Sequence, residues 1–319
     1  MSKRIPLTLA CGDYEIVRAI KEGLVRVEGV DLTVIIENDA GVRHRRFFRN
    51  NEFDAAEASS SNFLVARDKG LPYCAIPVFL HRRFRHGFVF INTTKGINTP
   101  TDLIGKKIGV VKFQSSSNLW VRGILEQEYG VPHRSIEWFS EADESVEVIP
   151  SPELKLSRVP VGKSVDRMLA EGELDAVMDP DPIQPFVEKD PRVARLFPDY
   201  KTEEIKFFRK TGIFPIMHVT CIRREIVDRY PWIPTNLYRA FREAKSLAMA
   251  RMANPRIAPL AWYQEAWEEQ QEILGRDPWE YGLTAANKKQ LEILIGHSHN
   301  QGMIKTRHSV EELFLPVMP

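Results

Sequence analysis

Short apolar runs alternate with amphipathic segments along the N-terminal part of the chain. These apolar runs predict strands at residues 7–10, 30–36, 53–58 and 73–78, and the run at 30–36 is rich in β-branched residues. The segments between these runs have helical spacing and predict helices at residues 14–22, 43–49 and 62–69. Strands that alternate with helices in this way predict a parallel sheet with right-handed crossovers.

A second strand–helix series follows a linker at residues 99–102. It predicts strands at residues 107–111, 136–139 and 175–178, with helices at residues 118–129 and 165–171. Residues 140–161 have little periodicity and predict a long loop, which is uncommon unless the loop is functional or mobile. The apolar run at residues 213–222 predicts another strand, and helices are expected from Pro231 onwards.

Two α/β series joined by two crossings predict a two-lobed α/β protein with a central cleft and a helical C-terminal part. Lobe one is expected at residues 1–98 plus 212–319, and lobe two at residues 99–211. The aromatic side chains of Trp262 and Trp267 recur with Ala266 at helical spacing, so they are expected in the core.

The composition is that of a globular protein, with 43% hydrophobic and 27% charged residues. The net charge of +1 argues against nucleic acid as a partner. The three cysteines are too far apart for a zinc motif or a disulfide framework, which predicts a reducing compartment. No signal peptide is visible and no apolar run approaches transmembrane length, so a cytoplasmic protein without a membrane partner is expected.

The stretch FLHRRFRH at residues 79–86 holds three arginines and two histidines between two apolar runs. Burial of an unpaired charge is costly, so cations between core strands need anionic partners. One interpretation is the rim of a pocket for an acidic ligand. The other is a charged turn on the surface, and the local composition leaves both open.

Ligands of open α/β sheets bind beyond the carboxyl ends of the strands, and this rule selects several loops. Asp13 follows the first strand and either contacts substrate or caps the next helix. Ser60 and Ser61 follow the third strand at a predicted helix start, where carboxylates bind favourably. An ordinary serine cap is the alternative.

Equivalent positions recur in the second series. Gln114 begins a Gln-Ser-Ser-Ser loop before a helix that carries Trp120 and Arg122. Arg122 either clamps a carboxylate with two parallel hydrogen bonds or lies exposed. Asp179 and Asp181 follow a strand, where they either do acid–base work or form local hydrogen bonds in a proline-rich turn.

Considered together, these residues resemble the 4,5-dihydroxyphthalate decarboxylases, a family similar to the type II periplasmic binding proteins. The matching segments are VF at 78–79 with Arg82, Phe84, Arg85 and His86, WVRGIL at 120–125, TGIFPIMH at 211–218, DPWEYG at 277–282, HNQG at 299–302 and ELF at 312–314. Two features depart from the family pattern. Residues 140–143 replace an expected glycine-rich turn, and His81 and Arg83 are atypical, which could alter the substrate.

The resemblance implies a carboxy-lyase that converts 4,5-dihydroxyphthalate to 3,4-dihydroxybenzoate (protocatechuate) and CO2 without a metal or cofactor. Arginine matches the planar geometry of a carboxylate, and histidine transfers protons near neutral pH. The side chains expected to clamp the substrate carboxylate are therefore Arg82, Arg85 and Arg122. Proton transfer is expected from His86 and His218, although a lone histidine in a strand such as His218 is more often a core residue.

The remaining expected substrate contacts are Ser60, Ser61, Gln114, Trp120 and Asp13. The expected partner is a small aromatic dicarboxylate, and a homo-oligomer is possible. Two other hypotheses stay open at this stage. One is a non-catalytic binding protein that holds a small acid between its lobes, and the other is a divalent metal among Asp179, Asp181 and the histidines.

Overall fold

A computed structural model describes residues 4–148 and 151–318. The chain forms two compact units. Unit 1 contains the residues up to Arg82, Ile216–Glu292 and the residues from His308 on, and unit 2 contains Arg83–Pro215 and Ile293–Arg307. The lobe boundaries expected from the sequence, at residues 98/99 and 211/212, stay a prediction.

Unit 1 is built on a five-stranded sheet. Its strands are β1 (Ile5–Cys11), β2 (Val30–Ile36), β3 (Ala55–Ser59), β4 (Tyr73–Ile76) and β11 (His218–Arg223). Its helices are α1 (Glu15–Lys21), α2 (Ala40–Phe48), α3 (Ser60–Asp68), α8 (Arg224–Arg229), α9 (Ile233–Met252), α10 (Tyr263–Leu274) and α12 (Val310–Leu313).

The strand order of this sheet is β2-β1-β3-β11-β4. Strand β1 pairs parallel with both β2 and β3, whereas β11 lies antiparallel between β3 and β4. The expectation of a purely parallel sheet is therefore wrong for this unit. It rested on strands that are consecutive along the chain, and β11 joins from a distant segment whose pairing local sequence does not encode.

The core of unit 1 lies between the sheet and helix α9. Leu237, Phe241 and Ala244 recur on one face of α9, and all three are fully buried. That face packs against α1 and joins the apolar side chains of β1 in one core cluster. The buried face of α9 thereby supports the strand ends at which the candidate site lies.

Unit 2 is built on a six-stranded sheet. Its strands are β5 (Val89–Asn92), β6 (Lys107–Val110), β7 (Glu137–Ser140), β8 (Leu156–Arg158), β9 (Ala176–Met178) and β10 (Val193–Arg195). Its helices are α4 (Ser116–Tyr129), α5 (Val165–Ala170), α6 (Gln184–Val187) and α7 (Tyr200–Thr211). Helix α11 (Ala285–Asn300) contributes residues 293–300 to this unit. Among the described residues, 3-10 turns occur at His86–Phe88, Pro100–Leu103 and His133–Ser135.

The second sheet has the order β10-β5-β9-β6-β7-β8 and is also mixed. Strand β5 is antiparallel to both of its neighbours, and the remaining pairs are parallel. The expected long loop at residues 140–161 is partly wrong, since β8 lies within it and pairs with β7. Residues 149–150 of that loop lie outside the described residues.

Close helix packing fixes α4 in unit 2. A Cβ on Gly123 would lie 2.4 Å from the ring of His297, so only glycine allows this approach of α4 to α11. The helix ends at Gly130, whose φ of 67° is left-handed. None of the described helices is both long and apolar enough to cross a membrane.

The packing of α9 makes a testable prediction. Leu237→Ala should lower the free energy of unfolding by about 2–5 kcal/mol, because it removes buried methyl groups and leaves a cavity. Leu247→Ala, on the same helix but 48% exposed, is the matched control and should change it by less than about 0.5 kcal/mol. Urea unfolding of both variants measures the difference, and equal effects would contradict the packing described.

Candidate active site

The carboxylate of Glu57 lies in unit 1 with no exposed surface. It is on β3, within the small-residue run Ala-Ala-Glu-Ala-Ser. The backbone N–H of Gly12 donates to Oε2 at 2.9 Å, and the hydroxyl of Tyr14 donates to Oε1 at 2.8 Å. The guanidinium of Arg43, itself buried, contacts Oε2 at 2.9 Å. A buried charge of this kind is tolerated only because both of its oxygens have partners.

His218 is the fourth partner of this carboxylate. Its Nδ1 lies 2.5 Å from Oε1 of Glu57, and the residue is 8% exposed. The antiparallel pairing of β11 with β3 sets His218 opposite Ser59, so that Glu57 is its diagonal neighbour on β3. Because Nδ1 faces the carboxylate, a proton exchanged with a substrate would be carried at Nε2.

Two further imidazoles flank His218. The ring of His81 meets it edge-on at a centroid distance of 4.8 Å, and the ring of His44 does so at 5.0 Å. The carbonyl of His81 also accepts a hydrogen bond from the backbone N–H of His218 at 3.2 Å. His81 is half-buried and stacks with Tyr14, with the ring centroids 6.3 Å apart.

The electrostatics favour an ionised carboxylate. Burial alone would raise the pKa of Glu57, but the charge and hydrogen bond of His218 oppose it. Arg43 and the Gly12 N–H act in the same direction, so the pKa lies well below its usual range. Burial and the neighbouring charge of Glu57 raise the pKa of Tyr14, which therefore stays protonated as a donor.

The same cluster contains the atoms that could hold a metal ion. Ligand atoms of Glu57, His81 and His218 lie within 4.8 Å of one another. Both carboxylate oxygens, however, already accept N–H or O–H hydrogen bonds, and the Arg43 cation adjoins them. A metal ion would have to displace these donors and lie beside a positive charge. The arrangement therefore fits proton transfer better than metal binding.

Two of the predicted clamp arginines have internal partners. In unit 1, Arg82 donates to Oδ1 of Asn287 at 2.6 Å and to the carbonyl of Glu280 at 3.0 Å. In unit 2, Arg85 donates to the carbonyl of Pro180 at 3.0 Å. Burial lowers the pKa of Arg82 to about 10 and that of Arg85 to about 9.

Arg122 of unit 2 differs from these two. Its Nε donates to Oε1 of Gln301 at 2.7 Å, and its guanidinium carbon lies 3.7 Å from the ring centroid of Phe113. Within residues 4–148 and 151–318, Nη1 and Nη2 have no hydrogen-bond partner, and neither does the buried side-chain amide of Gln114. Burial lowers the pKa of Arg122 to about 9. Trp120, by contrast, is fully buried against the ring of His297.

His86 has the surroundings of a core histidine in unit 2. The rings of Tyr129, Phe197 and Phe207 surround it at centroid distances of 6.0, 5.3 and 5.4 Å. Neither ring nitrogen has a hydrogen-bond partner in the described part of the chain. Burial lowers its pKa to about 4, which keeps the ring neutral. Its assignment to proton transfer stays an untested prediction.

The serines at the end of β3 and the start of α3 make structural contacts. Ser59 caps α3 through the N–H of Asn62, and the hydroxyl of Ser60 donates to the carbonyl of Met217 at 2.9 Å. Ser61 is completely buried. A single serine cap, the alternative considered from the sequence, thus accounts for Ser59.

The aspartates are engaged locally. Asp13 pairs with Lys21 and does not cap α1, whose N-cap residue is Tyr14, so the capping alternative is wrong. Asp179 accepts from the N–H of Asp181 at 3.0 Å, which is the turn hydrogen bond expected of a proline-rich turn. The described group of side chains able to share a metal ion does not include these two aspartates.

Sequence reasoning missed the residues that organise this cluster. Glu57 lay near the end of the predicted strand at residues 53–58 but was given no role, and Arg43 and His44 were assigned to no site. His81 was considered only as part of the basic stretch at residues 79–86 and as a departure from the family pattern. One signal was available: a single glutamate inside an apolar strand is costly unless it is paired. Tertiary structure brings together Arg43, Glu57 and His218, and no local sequence pattern indicates this contact.

Comparisons with known proteins now identify the family. The chain is 33% identical to the 4,5-dihydroxyphthalate decarboxylase of Comamonas testosteroni over 99% of its length and 98% of that enzyme. The chain belongs to the 4,5-dihydroxyphthalate decarboxylase family. The Pseudomonas putida 4,5-dihydroxyphthalate decarboxylase is 34% identical over 61% of this chain and 78% of that protein. The family resemblance drawn from the sequence is thereby confirmed, and family members named in this way are carboxy-lyases.

The decarboxylase family shares its fold with binding proteins. Residues 14–140 match the NMT1/THI5-like family model. The periplasmic aliphatic sulphonate binding protein SsuA of Escherichia coli superposes with a TM-score of 0.59 at 12% identity, covering 97% of each chain. The predicted periplasmic-binding-protein-like fold class is confirmed.

The ionised state of Glu57 makes a prediction about pH for this family member. A carboxyl group whose pKa is lower in the folded than in the unfolded state binds fewer protons when folded. Its stabilisation is present above the unfolded pKa of about 4.3 and is lost as the pH falls towards the folded pKa. Glu57→Gln should therefore lose about 3–5 kcal/mol of unfolding free energy at neutral pH, and this deficit should shrink below a pH of about 4.

Urea unfolding of both proteins from neutral to acidic pH measures this deficit. Glu243→Gln, at an exposed position of α9, is the matched control and should follow the parent at every pH. A deficit for Glu57→Gln that does not vary with pH would contradict the ionised, paired carboxylate.

Proposed function

We propose that this protein decarboxylates a hydroxylated benzene dicarboxylate, 4,5-dihydroxyphthalate, to 3,4-dihydroxybenzoate and CO2 without a metal or cofactor. The observation that carries the proposal is the 2.5 Å contact between Glu57 and Nδ1 of His218, beside the ring of His81. A carboxylate that orients an imidazole is a recurrent arrangement for general acid–base chemistry. The names of the two relatives supply the substrate class.

The reaction needs two proton transfers. Direct loss of CO2 would leave an aryl carbanion of high energy. Each carboxylate of 4,5-dihydroxyphthalate has a hydroxyl para to it, and removal of that hydroxyl's proton pushes electron density onto the carbon bearing the carboxylate. A general acid can then protonate this carbon, after which the bond to the carboxylate breaks. Its electron pair restores the aromatic ring as CO2 leaves.

The unit 1 cluster offers residues for both transfers. Glu57 holds the Nδ1 proton of His218, so Nε2 exchanges a proton with the substrate. His81 provides a second imidazole at 4.8 Å between ring centroids. One imidazole takes the phenol proton while the other gives a proton to the ring carbon. The first imidazole then returns the phenol proton to the product. The second takes one proton from solvent to replace the one now bonded to the ring carbon, so each turnover consumes one proton and no redox step arises.

A dianionic substrate also needs cations. We also propose that the substrate carboxylates are bound by the side chains of Arg82, Arg85 and Arg122. Arg122 supports it best, because two of its buried nitrogens have no hydrogen-bond partner among the described residues. A guanidinium with two such nitrogens can bind a carboxylate through two parallel hydrogen bonds.

Purified protein mixed with 4,5-dihydroxyphthalate, with and without a chelator, tests the proposal. The expected result is that 3,4-dihydroxybenzoate and CO2 form, and that they form at the same rate with and without the chelator. Loss of turnover with chelator, restored by a divalent metal ion, would instead assign a metal to Glu57, His81 and His218. Binding of the substrate without turnover would favour the alternative of a non-catalytic binding protein.

Histidine variants separate catalytic from structural roles. His218→Gln and His81→Gln should each lower turnover by about 10²–10⁴-fold with a smaller change in affinity, because a positioned acid or base contributes this much. His86→Gln should lower the melting temperature while turnover per folded molecule is kept, since its ring lies among aromatic side chains. A large loss of turnover in His86→Gln alone would reverse the assignment.

A further inference from the structure

Gln301 is a buried residue of unit 2 that directly follows helix α11. Its backbone N–H donates to the carbonyl of His297 at 3.0 Å. Gly302 follows with a left-handed φ of 72°, and its N–H donates to the carbonyl of His299 at 3.0 Å. These hydrogen bonds close the end of the helix. The side chain of Gln301 therefore starts from a fixed backbone position.

The side-chain amide of Gln301 makes two hydrogen bonds to helix α4. Its Oε1 accepts from Nε of Arg122 at 2.7 Å, and its Nε2 donates to the carbonyl of Leu119 at 3.0 Å. An arginine Nε only donates and a carbonyl only accepts, so the amide cannot be reversed without loss of both bonds. The two partners thus fix the orientation of the amide as well as its place.

The guanidinium of Arg122 is restrained on two sides. Gln301 engages Nε, and the ring of Phe113 covers one face, with its centroid 3.7 Å from the guanidinium carbon. No residue in the described ranges 4–148 and 151–318 forms a hydrogen bond with Nη1 or Nη2. A carboxylate that accepts two parallel hydrogen bonds would therefore bind at the end of the fork that carries these two nitrogens.

The neutral amide restrains the guanidinium without offsetting its charge. A glutamate at position 301 would form an ion pair with Arg122 and would turn an oxygen towards the carbonyl of Leu119. An apolar side chain would leave Nε and that carbonyl without the two bonds. Glutamine thus combines a restrained fork with a full positive charge for a ligand, and such restraint by supporting residues favours tight binding.

We infer that Gln301 is a positioning residue that directs Nη1 and Nη2 of Arg122 at one carboxylate of the substrate. The inference rests on the proposed role of Arg122 in carboxylate binding and adds the residue that sets its geometry. Gln301 acts through Arg122 and contacts no reacting atom. Its loss should therefore raise KM for 4,5-dihydroxyphthalate while kcat changes by less than about twofold.

A double-mutant cycle on phthalate affinity tests this role. Phthalate has two neighbouring carboxylates but no hydroxyl, so the proposed reaction does not consume it. Gln301→Met removes both hydrogen bonds at similar side-chain size. It should weaken phthalate binding in calorimetric titration by about 10–100-fold, because a misdirected fork loses one of its two charged hydrogen bonds. In an Arg122→Met background the same change should weaken binding by less than about twofold.

Matched variants complete the design. Gln127→Met makes the same change at an exposed position of α4 and should leave the affinity unchanged. If a methionine variant fails to fold, Gln301→Asn, which has a shorter amide side chain, and Arg122→Lys, which keeps the charge but lacks the fork, take its place. Unchanged phthalate affinity on loss of Gln301 would overturn the inference. So would an equal loss in both backgrounds, which a purely structural role predicts.

The result is separable from the proposed function. Phthalate binding that depends on Gln301 through Arg122, in a protein that fails to decarboxylate 4,5-dihydroxyphthalate, would leave this inference standing and overturn the proposed function. Decarboxylation together with a phthalate affinity indifferent to Gln301 would do the reverse.

Discussion

The burial of Glu57 is the constraint on which the candidate site depends. Transfer of a carboxylate from water into the protein interior costs several kcal/mol unless partners replace the lost hydration. Here the partners come from four places: the turn after β1, the start of α1, helix α2 and strand β11. Each of these elements must be in position for the charge to be compensated, so the geometry of the site depends on the fold of unit 1.

The same constraint connects stability to chemistry. A carboxylate held ionised beside Nδ1 of His218 favours the tautomer of that imidazole with its proton on Nδ1. His81 is linked to this pair, because its backbone carbonyl accepts a hydrogen bond from the backbone N–H of His218. The geometry of the candidate site is thus determined by strand pairing and by buried hydrogen bonds rather than by mobile surface side chains.

Much of the fold could be predicted because its signals are local. The β-branched run of β2 and the apolar stripe of α9 encode their own structure. The antiparallel insertion of β11 could not be predicted, because strand pairing across a long sequence separation has no local signal. His218 was singled out from the sequence and its catalytic role stays a proposal, whereas Glu57 was recognised only from the neighbours that tertiary packing brings to it. Trp262 and Trp267 were expected in the core, and this expectation is wrong, because Trp262 is 75% exposed and α10 has no buried residue. Helical spacing indicates that side chains share a face but not what covers that face.

The protonation of His218 tests the central claim most directly. Nitrogen-15 NMR of histidine-labelled protein, assigned with a His218→Gln variant, reports which ring nitrogen carries a proton at neutral pH. The account predicts a protonated Nδ1 whose proton resonates far downfield, as expected for a short hydrogen bond to a carboxylate. An Nδ1 without a proton, or a proton resonance typical of an exposed imidazole, would contradict the Glu57–His218 arrangement as the basis of the site.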